Sequence, residues 1–267
     1  MTIKLNDILQ FENLDNVKIK FNMMFGGNWN PIEIFKNKDF EKLKEGHYTR
    51  SFKVNDITIG FIRISKTDNT WLLFHVGKVT KELNVPLESC RKYEYEPLLQ
   101  YQKYFGRLII KYKNSNQNVV RKALTVIDDC EVVQILSDLF DNDIFPGYDK
   151  VNISWTGLIR VIEKDSWKTA LQNQKGVYLI TDESNGKMYV GSAYGDTMIL
   201  GRWLSYIKTG HGGNVGLKRL DFEYIKSNFR FSILDIYKST IDDQTIIERE
   251  NWWKEVLQSR KFGYNEN

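Results

Sequence analysis

Six residues between positions 178 and 250 bring together phenol, guanidinium, imidazole and carboxylate groups. They are Tyr178, Tyr189, Arg202, Tyr206, His211 and Glu250. Hydrolysis of a phosphodiester needs a proton acceptor for water, a cation at the phosphate and relief of charge on the leaving oxygen. A phenol beside a cation can accept a proton, an arginine can hold phosphate oxygens, and a carboxylate can bind Mg²⁺. The set therefore contains each group that such a reaction needs.

The local pattern predicts how the two motif tyrosines are positioned. Strands are expected at 176–181 and 187–191, because the Asp-Glu-Ser-Asn-Gly segment between them contains Asn-Gly, a strong hairpin signal. Tyr178 and Tyr189 stand eleven residues apart on these paired strands. They can therefore face the same side of the hairpin.

The remaining site residues fall on predicted helices. Arg202 and Tyr206 share one face of a helix over 199–208 because residues four apart are neighbours on a helix. Gly210 is expected to end that helix. A second helix over 214–226, a third strand over 230–236 and a last helix from Asp242 or Asp243 to about Ser259 complete the unit. We expect a compact α/β domain with a three-stranded antiparallel sheet flanked by helices.

Each of these residues also has a simpler explanation when it is taken alone. An arginine on a helix is usually solvated, and His211 lies among glycines in what can be an ordinary loop. Glu250 can form an ion pair with Lys254, four residues further along the same helix. The order and spacing of the whole set favour the chemical interpretation.

The motifs around these residues resemble those of the GIY-YIG nuclease superfamily. The matching segments are Gly176-Val177-Tyr178, Tyr189-Val190-Gly191, Gly201-Arg202-Trp203, Ile246-Ile247-Glu248-Arg249-Glu250-Asn251-Trp252-Trp253 and Gly263-Tyr264-Asn265. Valine replaces isoleucine in both halves of the name motif. The helix carrying Glu250 is similar to the metal-site helix of phage intron-encoded homing endonucleases, and in that register Glu250, not Glu248, is the metal ligand.

The resemblance implies a one-metal mechanism with a role for each matched residue. Tyr178 would be the general base, and Tyr189 and Tyr206 would hold the water or the phosphate. Arg202 would stabilise the transition-state charge. Glu250 would bind Mg²⁺ (or Mn²⁺), and Asn265 would support the site. His211 falls near a further family histidine, and Asn214 is its rival for that place.

The first part of the chain has a different pattern and matches no nucleic-acid-binding module. The length of the whole chain, 267 residues, suggests two domains. The boundary between them is expected near residues 145–165. We assign residues 1–150 to an N-terminal specificity or DNA-binding domain and 151–267 to the nuclease domain with its lead-in helices. Short helices are expected near the N-terminus and over 32–43. Period-two segments at 51–54, 57–64, 71–77, 106–112 and 130–136 predict a mainly antiparallel, barrel-like domain, so the fold class is α+β.

Composition sets limits on partners and location. The formal net charge of +4 permits DNA binding without requiring it. Lys111, Lys113, Arg121 and Lys122 flank an expected hairpin, and they either contact phosphates or keep solvated strand edges from aggregating. The two cysteines, Cys90 and Cys130, indicate buried thiols instead of a zinc site or disulfide framework. With no long apolar run and no signal-peptide pattern, a cytoplasmic protein without a membrane partner is expected.

The sequence therefore predicts a Mg²⁺-dependent DNA endonuclease that acts in restriction or phage defence, with its target chosen by the N-terminal domain. A homing or repair nuclease is one alternative. A catalytically idle DNA-binding protein or modified-base reader is another. A single active site cuts one strand, so cutting both strands would involve a homodimer on DNA or two successive nicks.

Overall fold

A computed structural model describes residues 2–23, 29–45, 51–83, 92–114 and 118–266. The chain divides into two compact units, Met1–Asp141 and Asn142–Asn267. Cys130 is a buried free thiol, whereas Cys90 lies outside the described residues. In the described ranges no helix combines the length and the apolar character that crossing a bilayer requires.

The first unit combines one large sheet with short helices. Its α-helices are α1 (Leu5–Leu9), α2 (Pro31–Lys36) and α3 (Phe40–Glu45), and its 3-10 turns are Leu99–Tyr104, Ala123–Thr125 and Ile127–Asp129. Its strands are β1 (Val17–Asn22), β2 (Ile57–Ser65), β3 (Thr70–Leu83), β4 (Lys92–Pro97), β5 (Leu108–Lys111), β6 (Val120–Lys122) and β7 (Glu131–Ile135).

The sheet of the first unit is mixed and open, which corrects the expected antiparallel barrel. The strand order is β6-β1-β2-β3-β5-β7, with β4 paired to the second half of β3. The end strands β6 and β7 do not pair with each other within the described ranges. Strand β1 runs parallel to β2 because the helical segment between them carries the chain back to the same end of the sheet.

Two local predictions in the first unit are wrong for identifiable reasons. Residues 51–54 form no strand; there the Asp56 carboxylate accepts from the Lys53 amide at 2.7 Å and closes a turn. The single helix expected over 32–43 is two helices, because Lys38 adopts a left-handed conformation (φ 60°) between α2 and α3.

Both faces of this sheet are covered by apolar side chains. One core contains aromatic residues of β1, β2 and β3, among them Phe21, Phe61 and Trp71. The opposite face packs α2 and α3 through Phe35 and Leu43. The long apolar runs in these strands follow from burial on both sides.

The second unit has a smaller sheet with helices on both sides. Its strands are β8 (Asn152–Ser154), β9 (Gln174–Asp182), β10 (Met188–Ala193) and β11 (Phe229–Lys238). Its helices are α4 (Trp155–Val161), α5 (Asp165–Leu171), α6 (Met198–Thr209), α7 (Val215–Lys218), α8 (Phe222–Asn228), α9 (Asp243–Val256) and α10 (Ser259–Phe262), with a 3-10 turn at Tyr148–Lys150.

This sheet has four antiparallel strands in the order β10-β9-β11-β8, one more than predicted. The additional strand β8 is only three residues long and runs directly into α4, where Ser154 caps the helix by accepting from the Gly157 amide. A strand that short has too few alternating positions to be recognised from its pattern. The predicted 214–226 helix is likewise divided, because Asp221 starts a new helix by capping the amides of Glu223 and Tyr224.

Helices α6 and α9 lie on opposite faces of the sheet. Successive residues of a strand point to opposite sides. Tyr178 belongs to the core that contains Trp203 and Tyr206 of α6, whereas Val177 and Val190 pack with Ile246 of α9. Strand β10 is the sheet edge between these two helices, so groups from both faces can meet there.

Candidate active site

The predicted hairpin brings Tyr178 and Tyr189 onto the same face of the sheet. Tyr178 is paired with Gly191, and Tyr189 is paired with Ile180. Gly191 makes room for the Tyr178 ring, because a Cβ at position 191 would lie 2.4 Å from the Tyr178 Cζ and hydroxyl atoms. The glycine of the second motif is therefore a steric requirement of the tyrosine of the first.

A hydrogen-bonded group of three side chains lies below the sheet edge. Arg202 Nε donates to the Tyr178 hydroxyl at 3.0 Å, and the hydroxyls of Tyr178 and Tyr206 share a hydrogen bond of 3.1 Å. Arg202 Nη1 also donates to the carbonyl oxygen of Gly212 at 2.8 Å. These contacts fix the guanidinium on two sides, as a phosphate-binding group requires.

Burial and neighbouring charges shift the pKa values of this group. Burial raises the pKa of the Tyr178 hydroxyl above its ordinary value, and Tyr189 raises it further while Arg202 opposes the shift. Burial likewise raises the pKa values of Tyr189 and Tyr206. Burial by itself lowers the pKa of Arg202, but the phenols of Tyr178 and Tyr206 raise it on balance. The arginine is therefore a permanent cation surrounded by neutral phenols.

Asn265 closes the exposed edge of β10. Its Oδ1 accepts from the Val190 amide at 2.9 Å, and its Nδ2 donates to the Val190 carbonyl at 2.8 Å. The side chain is buried. The amide group thus acts as a substitute for a further strand and satisfies two backbone groups next to Tyr189.

Glu250 enters the site from α9. Its Oε2 accepts a hydrogen bond from the Ser192 hydroxyl. Its Oε1 lies 2.9 Å from Lys254 Nζ, with 13% and 3% of the two side chains exposed. The ion pair that the four-residue spacing allows is therefore present, and its carboxylate is the one assigned to the site.

Several of the predicted residues line one cleft of about 750 Å³. Its walls are Tyr189, Ser192, Ala193, Tyr194, Thr197, Arg202, Gly212, Gly213, Asn214, Val215, Glu250 and Glu266. A phenol, a guanidinium and a carboxylate from β10, α6 and α9 therefore meet in one polar opening. Tyr178 and Tyr206 are fully buried behind it.

His211 and Asn214, which follow α6, are the two candidates for the position of the family histidine. Asn214 lines the cleft. His211 is not among the lining residues; its Nδ1 accepts from the Gly213 amide at 2.9 Å. That bond closes the turn between α6 and α7. A catalytic role for His211 stays a prediction, and its present contact is with the loop backbone.

The carboxylate of Glu250 is compatible with Mg²⁺, which needs only one or two protein ligands and keeps several waters. The Ser192 hydroxyl supplies a second oxygen beside it. No group of three or more potential His, Cys, Asp or Glu ligands occurs in the portion of the chain that the structure describes. The oxygens of Glu250 and Ser192 suit a largely hydrated hard cation.

The basic residues suggested as DNA contacts do not flank a hairpin. Lys111 ends β5, whereas Arg121 and Lys122 lie on β6, and these strands are not neighbours in the sheet. Strand β6 instead pairs with β1 at one end of the sheet. Their contact with DNA stays a prediction.

Two residues with clear roles at this end of the unit were not predicted. Ser192 follows the second motif and bonds to Glu250, but a lone serine after a strand carries no distinctive signal.

Asp182 is buried and accepts from the hydroxyls of Tyr224 at 2.6 Å and Tyr264 at 2.5 Å. Burial opposes ionisation, but these phenols lower the pKa of Asp182 on balance. It thereby anchors the segment that carries Asn265.

Part of the chain is similar to known proteins. The family model described as the GIY-YIG catalytic domain matches residues 174–265. The structure of the catalytic domain of homing endonuclease I-TevI is 34% identical; the match covers 34% of this chain and 96% of that chain, with a TM-score of 0.28. A mutant of the catalytic domain of intron endonuclease I-TevI is 32% identical over 35% of this chain and 94% of that chain, with a TM-score of 0.29. No curated protein matches the chain.

About a third of the aligned residues are identical across almost the whole length of these catalytic domains. The matched region includes both tyrosine motifs, the helical arginine, the α9 glutamate and the terminal asparagine. The chain therefore belongs to the GIY-YIG family of endonucleases, with the family's catalytic domain at residues 174–265.

Proposed function

We propose that this protein is a Mg²⁺- or Mn²⁺-dependent DNA endonuclease that acts in the cytoplasm in restriction or phage defence. The observation that carries the proposal is the cleft shared by Tyr189, Arg202 and Glu250. A cation, a carboxylate and a phenol at one opening are what phosphodiester hydrolysis requires. The first unit, residues 1–141, is proposed to choose the target DNA.

The cleft favours a specific division of roles among the three tyrosines. The Tyr178 hydroxyl is enclosed and receives a hydrogen bond from Arg202, whereas Tyr189 lines the opening. We therefore assign Tyr189 to the attacking water and Tyr178 to holding Arg202, in place of the base role that the family resemblance suggested for Tyr178. Tyr206 supports Tyr178 from behind.

Arg202 is assigned to the reacting phosphate, and Glu250 is assigned to the divalent ion. The guanidinium presents the donors not already used by Tyr178 and Gly212, and it stabilises charge that develops on the phosphoryl oxygens. Glu250, with Ser192, would hold the divalent ion. When bound, that ion adds positive charge at the phosphate and makes water easier to deprotonate.

A plasmid-nicking assay tests the proposal directly. We expect supercoiled DNA to be cut in Mg²⁺, to survive in EDTA, and to survive with Glu250→Ala. The matched control is Glu248→Ala, because Glu248 is on the same helix but is exposed and bonded to Gln244. Metal-independent cutting, or equal loss in both variants, would contradict the assigned role of Glu250.

A homing nuclease is the second candidate, because the similar solved domains are described as intron and homing endonucleases. Mapping cut sites across a phage genome separates the two functions. A restriction enzyme cuts at many short sites and responds to base modification, whereas a homing enzyme cuts at one or a few long sites. Specific binding without any cutting would instead support a DNA or modified-base reader.

A further inference from the structure

Lys254 is a buried cation in direct contact with the carboxylate that we assign to the metal. Its side chain is 3% exposed, and its Nζ lies 2.9 Å from Glu250 Oε1. An ammonium is rarely buried unless an opposite charge accompanies it. Because Ser192 donates to the other carboxylate oxygen, both oxygens of Glu250 are engaged.

The charges around the cleft do not favour a lone divalent cation. Lys254 cancels the charge of Glu250, and Arg202 adds a further positive charge to the wall. Glu266 also lines the cleft, but it is paired with Arg219 at 2.9 Å. A dication entering this site is therefore repelled until another anion arrives.

Under the proposed function, the phosphate of a bound DNA strand would supply that anion. It would bring negative charge to the side of the cleft where Arg202 lies, and phosphate oxygens are of the ligand type that Mg²⁺ prefers. The pairing of Lys254 with Glu250 would then oppose cation binding only in the empty enzyme.

We propose that Lys254 is a positioning residue that makes metal binding conditional on DNA. This inference rests on the proposed role of Glu250. Lys254 holds the carboxylate toward Ser192 and neutralises it, so the free enzyme takes up the divalent ion weakly. The divalent ion therefore binds tightly only when the phosphate backbone of DNA is also bound.

Electron paramagnetic resonance measures Mn²⁺ binding to the whole chain. It tests the proposed role of Lys254 without relying on activity. Wild type is expected to bind Mn²⁺ weakly alone and more tightly with a phosphorothioate-substituted duplex that resists cleavage. Lys254→Met keeps the apolar stem but removes the charge, and it should increase DNA-free Mn²⁺ affinity by about tenfold or more. Lys254→Arg is the matched control and should behave like wild type.

Two results separate failure of this inference from failure of the proposed function. If Glu250→Gln abolishes the DNA-dependent Mn²⁺ signal but Lys254→Met leaves DNA-free affinity unchanged, Lys254 has no conditional role and the metal site stands. If Glu250→Gln retains the full signal, the metal assignment itself is wrong. Thermal unfolding identifies a variant that does not fold. If Lys254→Met does not fold, Lys254→Gln replaces it, and the same increase in DNA-free Mn²⁺ affinity is expected. An unchanged DNA-free Mn²⁺ affinity of Lys254→Gln would count against the proposal.

Discussion

Arg202 and Tyr178 are joined by a 3.0 Å hydrogen bond from the guanidinium Nε to the buried phenol oxygen. The arginine thereby reaches the cleft from α6 while a residue of the central strand β9 holds it from behind. Gly212 accepts from a second nitrogen. The phosphate-binding group is thus positioned by the core and not by solvent-exposed contacts.

Arg202→Lys should remove most of the activity although it keeps the positive charge. A lysine has no planar fork, so it cannot bond to Tyr178, Gly212 and phosphate together. We expect kcat to fall by about 100-fold or more, the scale for losing a preorganised transition-state donor. Single-turnover cleavage measures this, with Arg219→Lys as control because Arg219 pairs at the surface with Glu266. Equal rates for wild type and Arg202→Lys would contradict the assignment.

Tyr189→Phe should reduce cleavage more than Tyr178→Phe. The hydroxyl of Tyr189 belongs to a residue at the cleft, whereas that of Tyr178 is enclosed and acts through Arg202. Loss of a proton-transfer group typically costs about 100-fold or more in rate. The dependence of the cleavage rate on pH distinguishes the two roles. We expect the wild-type rate to rise toward alkaline pH as the Tyr189 phenol ionises, and we expect this rise to be absent only in Tyr189→Phe. A larger loss in Tyr178→Phe would restore Tyr178 as the base.

Gly191→Ala should destabilise the second unit because the new methyl group would overlap the Tyr178 ring. Overpacking of this kind costs about 1–3 kcal/mol. Denaturant unfolding of wild type, Gly191→Ala, Tyr178→Leu and the double variant forms a cycle. Removal of the ring should make the alanine tolerable. Additive effects in the double variant would rule out the proposed clash.

Asn265→Asp should weaken the edge of β10. An ionised carboxylate still accepts from the Val190 amide, but it repels the Val190 carbonyl to which Asn265 now donates. Leaving a buried carbonyl without its donor costs about 1–3 kcal/mol. Hydrogen exchange at the Val190 amide reports this locally. Asn251→Ala is the control, since Asn251 accepts from Arg260 at the surface, and its exchange pattern at Val190 should match wild type.

Stability of the second unit should fall as pH rises above the ordinary tyrosine pKa of 10.0. Burial raises the folded-state pKa values of Tyr178, Tyr189 and Tyr206. Below pH 10.0 these phenols are neutral in both the folded and the unfolded chain, and their contribution to the free energy of unfolding is complete. Above that pH the phenols of the unfolded chain ionise first, so this contribution is lost. Thermal unfolding in alkaline buffers measures the slope, which Tyr206→Phe should reduce; an unchanged slope would show that Tyr206 is not involved.

The sequence alone determined the local features of the catalytic domain. The Asn-Gly turn, the cap at Asp242 and the four-residue spacing of Arg202 and Tyr206 are short-range signals, and the structure has each of them. The order of the motifs identified the family because each motif is also a short-range signal in the sequence. The side shared by Tyr178 and Tyr189 followed from strand alternation.

Tertiary structure decided what depends on contacts between distant segments. It added β8 to the sheet, joined β1 to β2 in parallel and left the first sheet open. It also placed Tyr189 at the cleft and Tyr178 behind it, and it buried Lys254 against Glu250. Periodicity specifies which face of an element is buried, but only packing of remote elements determines which polar groups meet there and which remain open to a substrate.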